Sequence, residues 1–216
     1  MRSAILNDCD AVLDVGANVG QWAHRVRSCG WAGRLISFEP LPTAIPELQE
    51  LAERDPLWEV VPVASGSVDG SALLNIAEQG GAASSLYEIH GETQRLAPNA
   101  KSSSRVSIPI RRLDTSATVS SHDRLFLKMD VQGHELEVLR GAERLYPQIY
   151  GLEVEASLVP VYKGQPGFMD IVVACQDLGF RPVQMDPEFV DPETSQLLQI
   201  NILFCRDSNQ MLSRFN

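Results

Sequence analysis

The stretch Val12-Leu13-Asp14-Val15-Gly16-Ala17-Asn18-Val19-Gly20 decides the reading of this chain, because a short apolar run ends in an acid and two glycines and opens at once into a helix-like segment. Gly16 permits a tight backbone turn and Gly20 lets the next helix pack close, so a ligand can lie against unshielded N–H groups at the helix start. From Gly16 the pattern is G-x-N-x-G, whereas a dinucleotide loop asks for G-x-G-x-x-G, with a wider step to its last glycine. Asn18 holds the middle position, and Asn is one of the few residues that tolerates positive φ. The acid-led D-x-G-x-x-x-G turn looks more like an S-adenosylmethionine loop than an NAD loop. Its candidate cofactor contacts are Asp14, Gly16, Ala17, Asn18 and Gly20.

A second strand, Arg34-Leu35-Ile36-Ser37-Phe38, closes on Glu39-Pro40 about 20 residues after the glycine turn. Glu39 is then placed to accept both ribose hydroxyls of a nucleotide-type cofactor. Pro40 has no N–H for a ladder and stops the strand at the edge where that ligand would lie. Each motif alone also fits a tight connection and a solvent-facing acid; together, at this spacing, they indicate the cofactor.

With these motifs in place the chain resembles the FkbM-type S-adenosylmethionine-dependent methyltransferases. The blocks that carry the resemblance are Asp14-to-Gly20, Ser37-Phe38-Glu39-Pro40, Leu127-Lys128-Met129-Asp130-Val131-Gln132-Gly133-His134-Glu135-Leu136-Glu137-Val138-Leu139-Arg140-Gly141-Ala142, and Leu152-Glu153-Val154-Glu155. They stand in the family's order and cover nearly the whole chain. The third is the most specific, since the family usually shows K-x-D-x-E-G-x-E-x-x-x-L-x-G-A there. Gln132 stands where an acid is common, which removes one carboxylate and any role tied to it. The resemblance implies O-methylation of a sugar, a glycolipid or a polyketide-type secondary metabolite, without naming the acceptor.

Apolar runs bounded by turn residues alternate with helical patterns along the chain. Strands are expected at about 11–15, 34–38, 58–64, 125–130, 149–155, 180–185 and 200–206, and helices at about 19–29, 43–54, 134–145 and 167–178. This is an α/β, doubly wound, Rossmann-like pattern. The last two strands read as a hairpin joined by the turn-rich Pro187-to-Thr194 link, so the expected fold is the class I methyltransferase one, a mostly parallel seven-stranded sheet with an antiparallel C-terminal strand. One domain is expected over residues 1–216, interrupted at about 66–115 by a segment too long for an ordinary connection. That insertion reads as an acceptor-side lid or substrate loop, and its polar His90-to-Ser104 part reads equally well as a solvated excursion.

In doubly wound sheets the ligand lies beyond the carboxyl ends of the strands, where strand order reverses. Asp14 and Glu39 mark the first two ends, Ala64 and Ser65 the third, where the adenine edge should be read, and Asp130 and Glu155 the fourth and fifth. Methyl transfer from a sulfonium is an in-line displacement that also needs a hydroxyl proton removed. Asp130 is the first candidate base and His134, four residues on at a helix start, the second. Both have plain structural roles open to them, as a helix cap and a first-turn surface residue. Lys128 shares a strand face with Asp130 and needs a partner, Asp130 or Glu155. Asp130, Glu155 and His134 could also gather Mg²⁺, although nothing in the spacing demands a metal.

The net charge of −10 argues against a nucleic-acid substrate, which needs a basic face, so the expected partner is a small-molecule or glycan acceptor; homo-oligomerisation stays open. No run reaches the 18 apolar residues of a membrane span, and Met1-Arg2-Ser3-Ala4 leads almost at once into the first strand without a signal peptide, so a cytoplasmic location is the default reading. The start also lacks the leading helices that often cover a methyltransferase pocket, which suggests an acceptor site open or completed by a partner. Cys9, Cys29, Cys175 and Cys205 form no C-x-x-C pair and indicate neither zinc nor a disulfide framework. Two rivals are an NAD-dependent sugar oxidoreductase and a non-catalytic cofactor-binding module. The first lacks its G-x-G-x-x-G turn and a Tyr-x-x-x-Lys pair. Tyr87 and Tyr162 are the preferred candidates for sugar stacking.

Overall fold

The opening apolar run is strand β1 (Ala11–Val15), buried along its whole length, in a computed structural model that describes residues 2–77, 81–90 and 102–206. A short helix α1 (Arg2–Leu6) precedes it, and α2 (Gln21–Ser28), β2 (Arg34–Phe38), α3 (Ile45–Ala52) and β3 (Trp58–Val61) follow. Then come β4 (Ala64–Gly66), β5 (Gly70–Ala77), β6 (Ser102–Arg112) and α4 (Leu113–Ser116). The second half holds β7 (Leu125–Met129), α5 (Glu135–Gly141), β8 (Ile149–Ser157), α6 (Phe168–Asp177), β9 (Phe180–Val190) and β10 (Leu197–Arg206).

Seven strands form one sheet in the order β3-β2-β1-β7-β8-β10-β9. β1 runs parallel to β2 and β7, β7 parallel to β8, and β10 antiparallel to both β8 and β9. Strand order therefore reverses between β1 and β7, which fixes where a ligand crevice opens. Side chains alternate between two cores. Val12, Leu35, Phe126 and Leu203 pack with Ile5, Leu6, Trp22, Val26 and Leu48 of α1, α2 and α3. Leu13, Ile36, Leu127 and Val154 pack on the other face with Val138 and Leu139 of α5 and Ile171 and Cys175 of α6. This is the doubly wound class I architecture expected from the alternation of patterns, down to the antiparallel C-terminal strand.

Boundaries differ where local chemistry intervenes. The run expected at 58–64 splits: β3 ends at Val61, Pro62 has no N–H to extend the ladder, and Val63 donates back to the Val61 carbonyl at 2.9 Å. Ala64–Gly66 then joins a separate three-stranded sheet, β4-β6-β5, over a small core of Leu41, Ala44, Ala64, Leu74, Ile108 and Ile110. The helix expected at 134–145 stops at Gly141, where a Cβ would lie 1.9 Å from the Gly66 carbonyl oxygen, and a 3₁₀ turn, Glu143–Leu145, takes over. β9 continues through the first half of the expected Pro187-to-Thr194 link, so the hairpin turns only after Val190. The leading helix α1 was not expected. It seats Ile5 and Leu6 in the core, and the Leu6 carbonyl accepts the Trp31 indole N–H at 2.9 Å. Most of the polar His90-to-Ser104 stretch lies outside the described residues.

Candidate active site

The glycine turn is built by backbone. Gly16, Asn18 and Gly20 take φ of 77°, 49° and 85°, in the left-handed region. A Cβ on Gly16 would stand 1.8 Å from the Asp130 carbonyl oxygen, so any side chain there would push the ends of β1 and β7 apart. The turn's amides are largely used within the protein: Gly16 and Ala17 donate to the Phe38 carbonyl at 3.0 and 3.2 Å, and Asn18 donates to Glu39 Oε2 at 2.6 Å. The turn thus supplies shape more than the free N–H donors its sequence suggests.

Asp14 lies beneath this turn, fully buried, with Ser37 and Lys128 as its register neighbours on β2 and β7. Lys128 Nζ sits 3.1 Å from Asp14 Oδ1 and donates to the Gly16 carbonyl at 2.8 Å, while Asp130 Oδ2 is 3.9 Å away. Burial opposes the lysine's charge, but Asp14 and Asp130 outweigh it and hold the ammonium above its ordinary range. Trp58 Nε1 donates to Ser37 Oγ at 3.0 Å and Ser37 Oγ donates to Asp14 at 3.3 Å, so one polar row stitches the strands together under the glycine turn.

Above the row, at the switch point, opens a cavity of about 250 Å³, near the lower end for small-ligand sites. Gly16, Asn18, Glu39, Pro40, Ala64, Ser65, Asp130, His134 and Glu155 all line it. Asp14, Ala17, Gly20 and Lys128 do not: Ala17 is in the α2-side core, and a Cβ on Gly20 would meet Leu48 and Trp58. Glu39 spends one lone pair of each oxygen on a main-chain amide, Asn18 at 2.6 Å and Leu41 at 2.7 Å, and burial pushes its carboxyl up. Asn18 Oδ1, Ser65 Oγ and His134 Nδ1 are buried without a hydrogen-bond partner among the described residues. Burial holds His134 below its ordinary 6.5, so its imidazole is neutral at pH 7.

Across the cavity from Glu39, one amide joins two carboxyls. Gln132 Nε2 donates to Asp130 Oδ1 at 2.7 Å and to Glu155 Oε2 at 3.1 Å, while Gln132 Oε1 accepts the Tyr162 hydroxyl at 2.8 Å. Burial, then the charges of Asp130, Glu135 and Glu188, push Glu155 well above the usual carboxylate range. Tyr162 is buried and is tied also to the Ala83 carbonyl, so it offers no stacking face, whereas Tyr87 is half-buried, with its ring centroid 5.6 Å from that of His134. Sequence reasoning gives no site role to Gln132 and Glu188, both of which line the cavity. Among the described residues no group of three His, Cys, Asp or Glu side chains is placed to hold a metal ion.

Glu135 sits under this floor and braces it, its Oε1 accepting the Gly133 amide at 3.0 Å and the Val131 amide at 3.4 Å. Burial pushes its carboxyl from 4.5 up to about 7. The native state therefore holds this proton more tightly than the unfolded chain, and between those two values stability falls as pH rises, by at most about 3 kcal/mol. Glu135→Gln keeps an acceptor oxygen for the two amides and removes the titration. Urea midpoints at about pH 5 and pH 8 should show the wild type losing stability across that interval and the variant losing much less; equal slopes would contradict this account.

The methyltransferase FkbM domain matches residues 14–182. A hexuronic acid methyltransferase of Haloferax volcanii is 31% identical over 135 residues, which are 61% of this chain and 49% of that protein, so the match spans about half of the relative's length. Among solved structures, magnesium protoporphyrin IX methyltransferase of Synechocystis PCC 6803 aligns over 95% of this chain and 76% of its own, with a TM-score of 0.51 at 12% identity. The 1,6-didemethyltoxoflavin-N1-methyltransferase of Burkholderia thailandensis covers the same shares with a TM-score of 0.52 at 11% identity. At such identities these two structures speak for the fold alone. The turn at Gly16, the acid at the end of β2 and the family match over most of the chain lead to one conclusion: this protein belongs to the FkbM methyltransferase family and carries its methyltransferase domain over residues 14–182.

Proposed function

We propose that this protein transfers the methyl group of S-adenosylmethionine to a hydroxyl of a sugar. The observation that carries the reading is Glu39, set at the end of β2, with each carboxylate oxygen anchored by one amide and facing the cavity at the switch point. That arrangement suits a ribose diol, and the unpartnered Asn18 Oδ1 and Ser65 Oγ offer further polar contacts, so the residues fit the cofactor. Bound there, the cofactor supplies an electrophilic methyl group on a sulfonium. Asp130, at the end of β7 on the far side, is the proposed general base: its Oδ1 is held by Gln132, while Oδ2 stands 3.9 Å from Lys128 Nζ and accepts no hydrogen bond among the described residues. His134, neutral and with Nδ1 unpartnered among the described residues, is the second base within the same cavity.

Residues 81–90 form the proposed acceptor-side cover. Gly81, Ser84, Ser85 and Leu86 line the cavity, Ser85 Oγ donates to the Gln132 carbonyl at 2.6 Å, and Ile89 bridges to Tyr162. Beyond Glu39, the ionisable lining groups are Asp130, His134, Glu155 and Glu188, with no Lys or Arg among the described lining residues. This acidic wall supports an acceptor without a carboxylate at the end that enters, unlike the acid named for the H. volcanii relative. The test is methyl transfer from radiolabelled S-adenosylmethionine to methyl glycosides of hexoses, hexosamines and hexuronic acids. Product should form with the first two groups in preference to the third; a preference for the uronic acids would overturn the acceptor assignment.

A further inference from the structure

Gln132 occupies a left-handed backbone conformation, φ 54°, that non-glycine residues seldom adopt, and it is held there from three sides. Ser85 Oγ donates to its carbonyl at 2.6 Å, Gly133 follows at φ 102°, and the Glu135 carboxylate takes the amides on either side of it. The result turns the side chain toward the cavity, where its amide has a single workable orientation. The two N–H groups meet Asp130 Oδ1 and Glu155 Oε2, and the oxygen meets the Tyr162 hydroxyl. A flip would set an oxygen against two carboxyls, whereas the phenol, whose single O–H can turn to the Ala83 carbonyl, would accept either orientation, so it is the carboxyls that orient the amide.

We propose that Gln132 is the positioning residue of the reaction: its amide holds Asp130 by one oxygen, leaving the other to take the acceptor's proton, and holds Glu155 beside it. The proposal rests on the methyl-transfer reading, in which the acceptor O–H gives its proton to Asp130 Oδ2 as the O–CH₃ bond forms and the methyl–sulfur bond breaks. In this chain the surrounding charges favour a neutral donor at position 132 over the acid common there. Asp130 and Glu155 are faced by Lys128 and Asp14 below, Glu135 from α5 and Glu188 from β9, with Tyr162 and His134 the other titratable groups at hand. Lys128 is already engaged by Asp14 and the Gly16 carbonyl. A carboxylate at position 132 would add a third acid to this pair and remove the amide that joins its members, leaving Glu155 the Gln199 amide at 3.1 Å.

The test is carbon-13 NMR titration of the Asp and Glu carboxyls in wild type, Gln132→Glu and Gln132→Met, each with and without S-adenosylhomocysteine, alongside kinetics. In both variants the carboxyl titration of the Asp130–Glu155 pair should move up, because the pair loses the donor it shares. For Gln132→Glu, kcat at pH 7 should fall about 30-fold and recover partly as pH rises, with the acceptor KM and cofactor Kd within about threefold. Carboxyl titrations that do not move in folded variants, or a loss confined to KM, would overturn the proposal. So would failure of both variants to fold, since Gln132 would then be a structural residue. Because the titration can be read without cofactor or acceptor, it separates failure of this proposal from failure of the methyl-transfer reading.

Discussion

Asp130→Asn should lower kcat by about 10²–10³-fold while the protein still binds S-adenosylmethionine within about threefold of wild type, the range for loss of a general base. The split is expected because position 130 does two separable things. Its main chain closes the glycine turn: the Asp130 amide donates to the Val15 carbonyl at 3.0 Å and its carbonyl oxygen packs where a Gly16 Cβ would be, and neither depends on the side chain. Its carboxylate faces the cavity beside Glu155, and an amide there can still meet Gln132 but cannot take a proton. Single-turnover kinetics with a working acceptor sugar provide the check. A loss below tenfold would move the role to His134, whose activity would then fall on the acid side through a pKa below 6.5, since burial lowers it.

Asp14→Ala should cost about 3–5 kcal/mol of stability, the range for stripping a buried ion of its partner. Asp14 is fully buried and Lys128 nearly so; of the other acids near the ammonium, Asp130 stands farther off at 3.9 Å and Glu153, its register neighbour on β8, is engaged by Arg2 and Trp22. The Gly16 carbonyl alone would be left to meet the ammonium at hydrogen-bond distance. The companion variant Asp14→Leu with Lys128→Met removes both charges and should cost less than Asp14→Ala by itself, because no unpaired ion remains. Urea unfolding measures both. A cost under about 1 kcal/mol for Asp14→Ala would mean that the row under the glycine turn is not a strut of the sheet.

Asp14 shows what the sequence could and could not disclose. Its place next to Gly16 marks it as part of a cofactor turn, and the turn is there, but the side chain points under the sheet to Lys128 and away from the cavity. The strand face of Lys128 offers Asp130 or Glu155 as its partner; its nearest carboxylate is instead the cross-strand neighbour on β1, which emerges only once strand order and register are known. Strand-end acids are legible because a motif fixes them to the carboxyl end of an apolar run, and Glu39, Asp130 and Glu155 all reach the one cavity. Gln132 and Glu188 gave no such signal. The first is aimed by a positive φ that a glutamine does not advertise, and the second is brought in by a hairpin whose β9 strand runs past its two prolines to Val190. The 58–64 run misled because a proline that ends one ladder can pass the chain to another sheet.

Calorimetric titration of S-adenosylmethionine into wild type and Glu39→Gln tests the central claim most directly. The substituted side chain would keep one oxygen for an amide but forfeit charge-assisted bonds to the ribose, so affinity should drop about a hundredfold, roughly 2–3 kcal/mol, in a variant that stays folded. Equal affinity in the two proteins, or no binding by the wild type, would contradict the assignment of this cavity as the methyl-donor site.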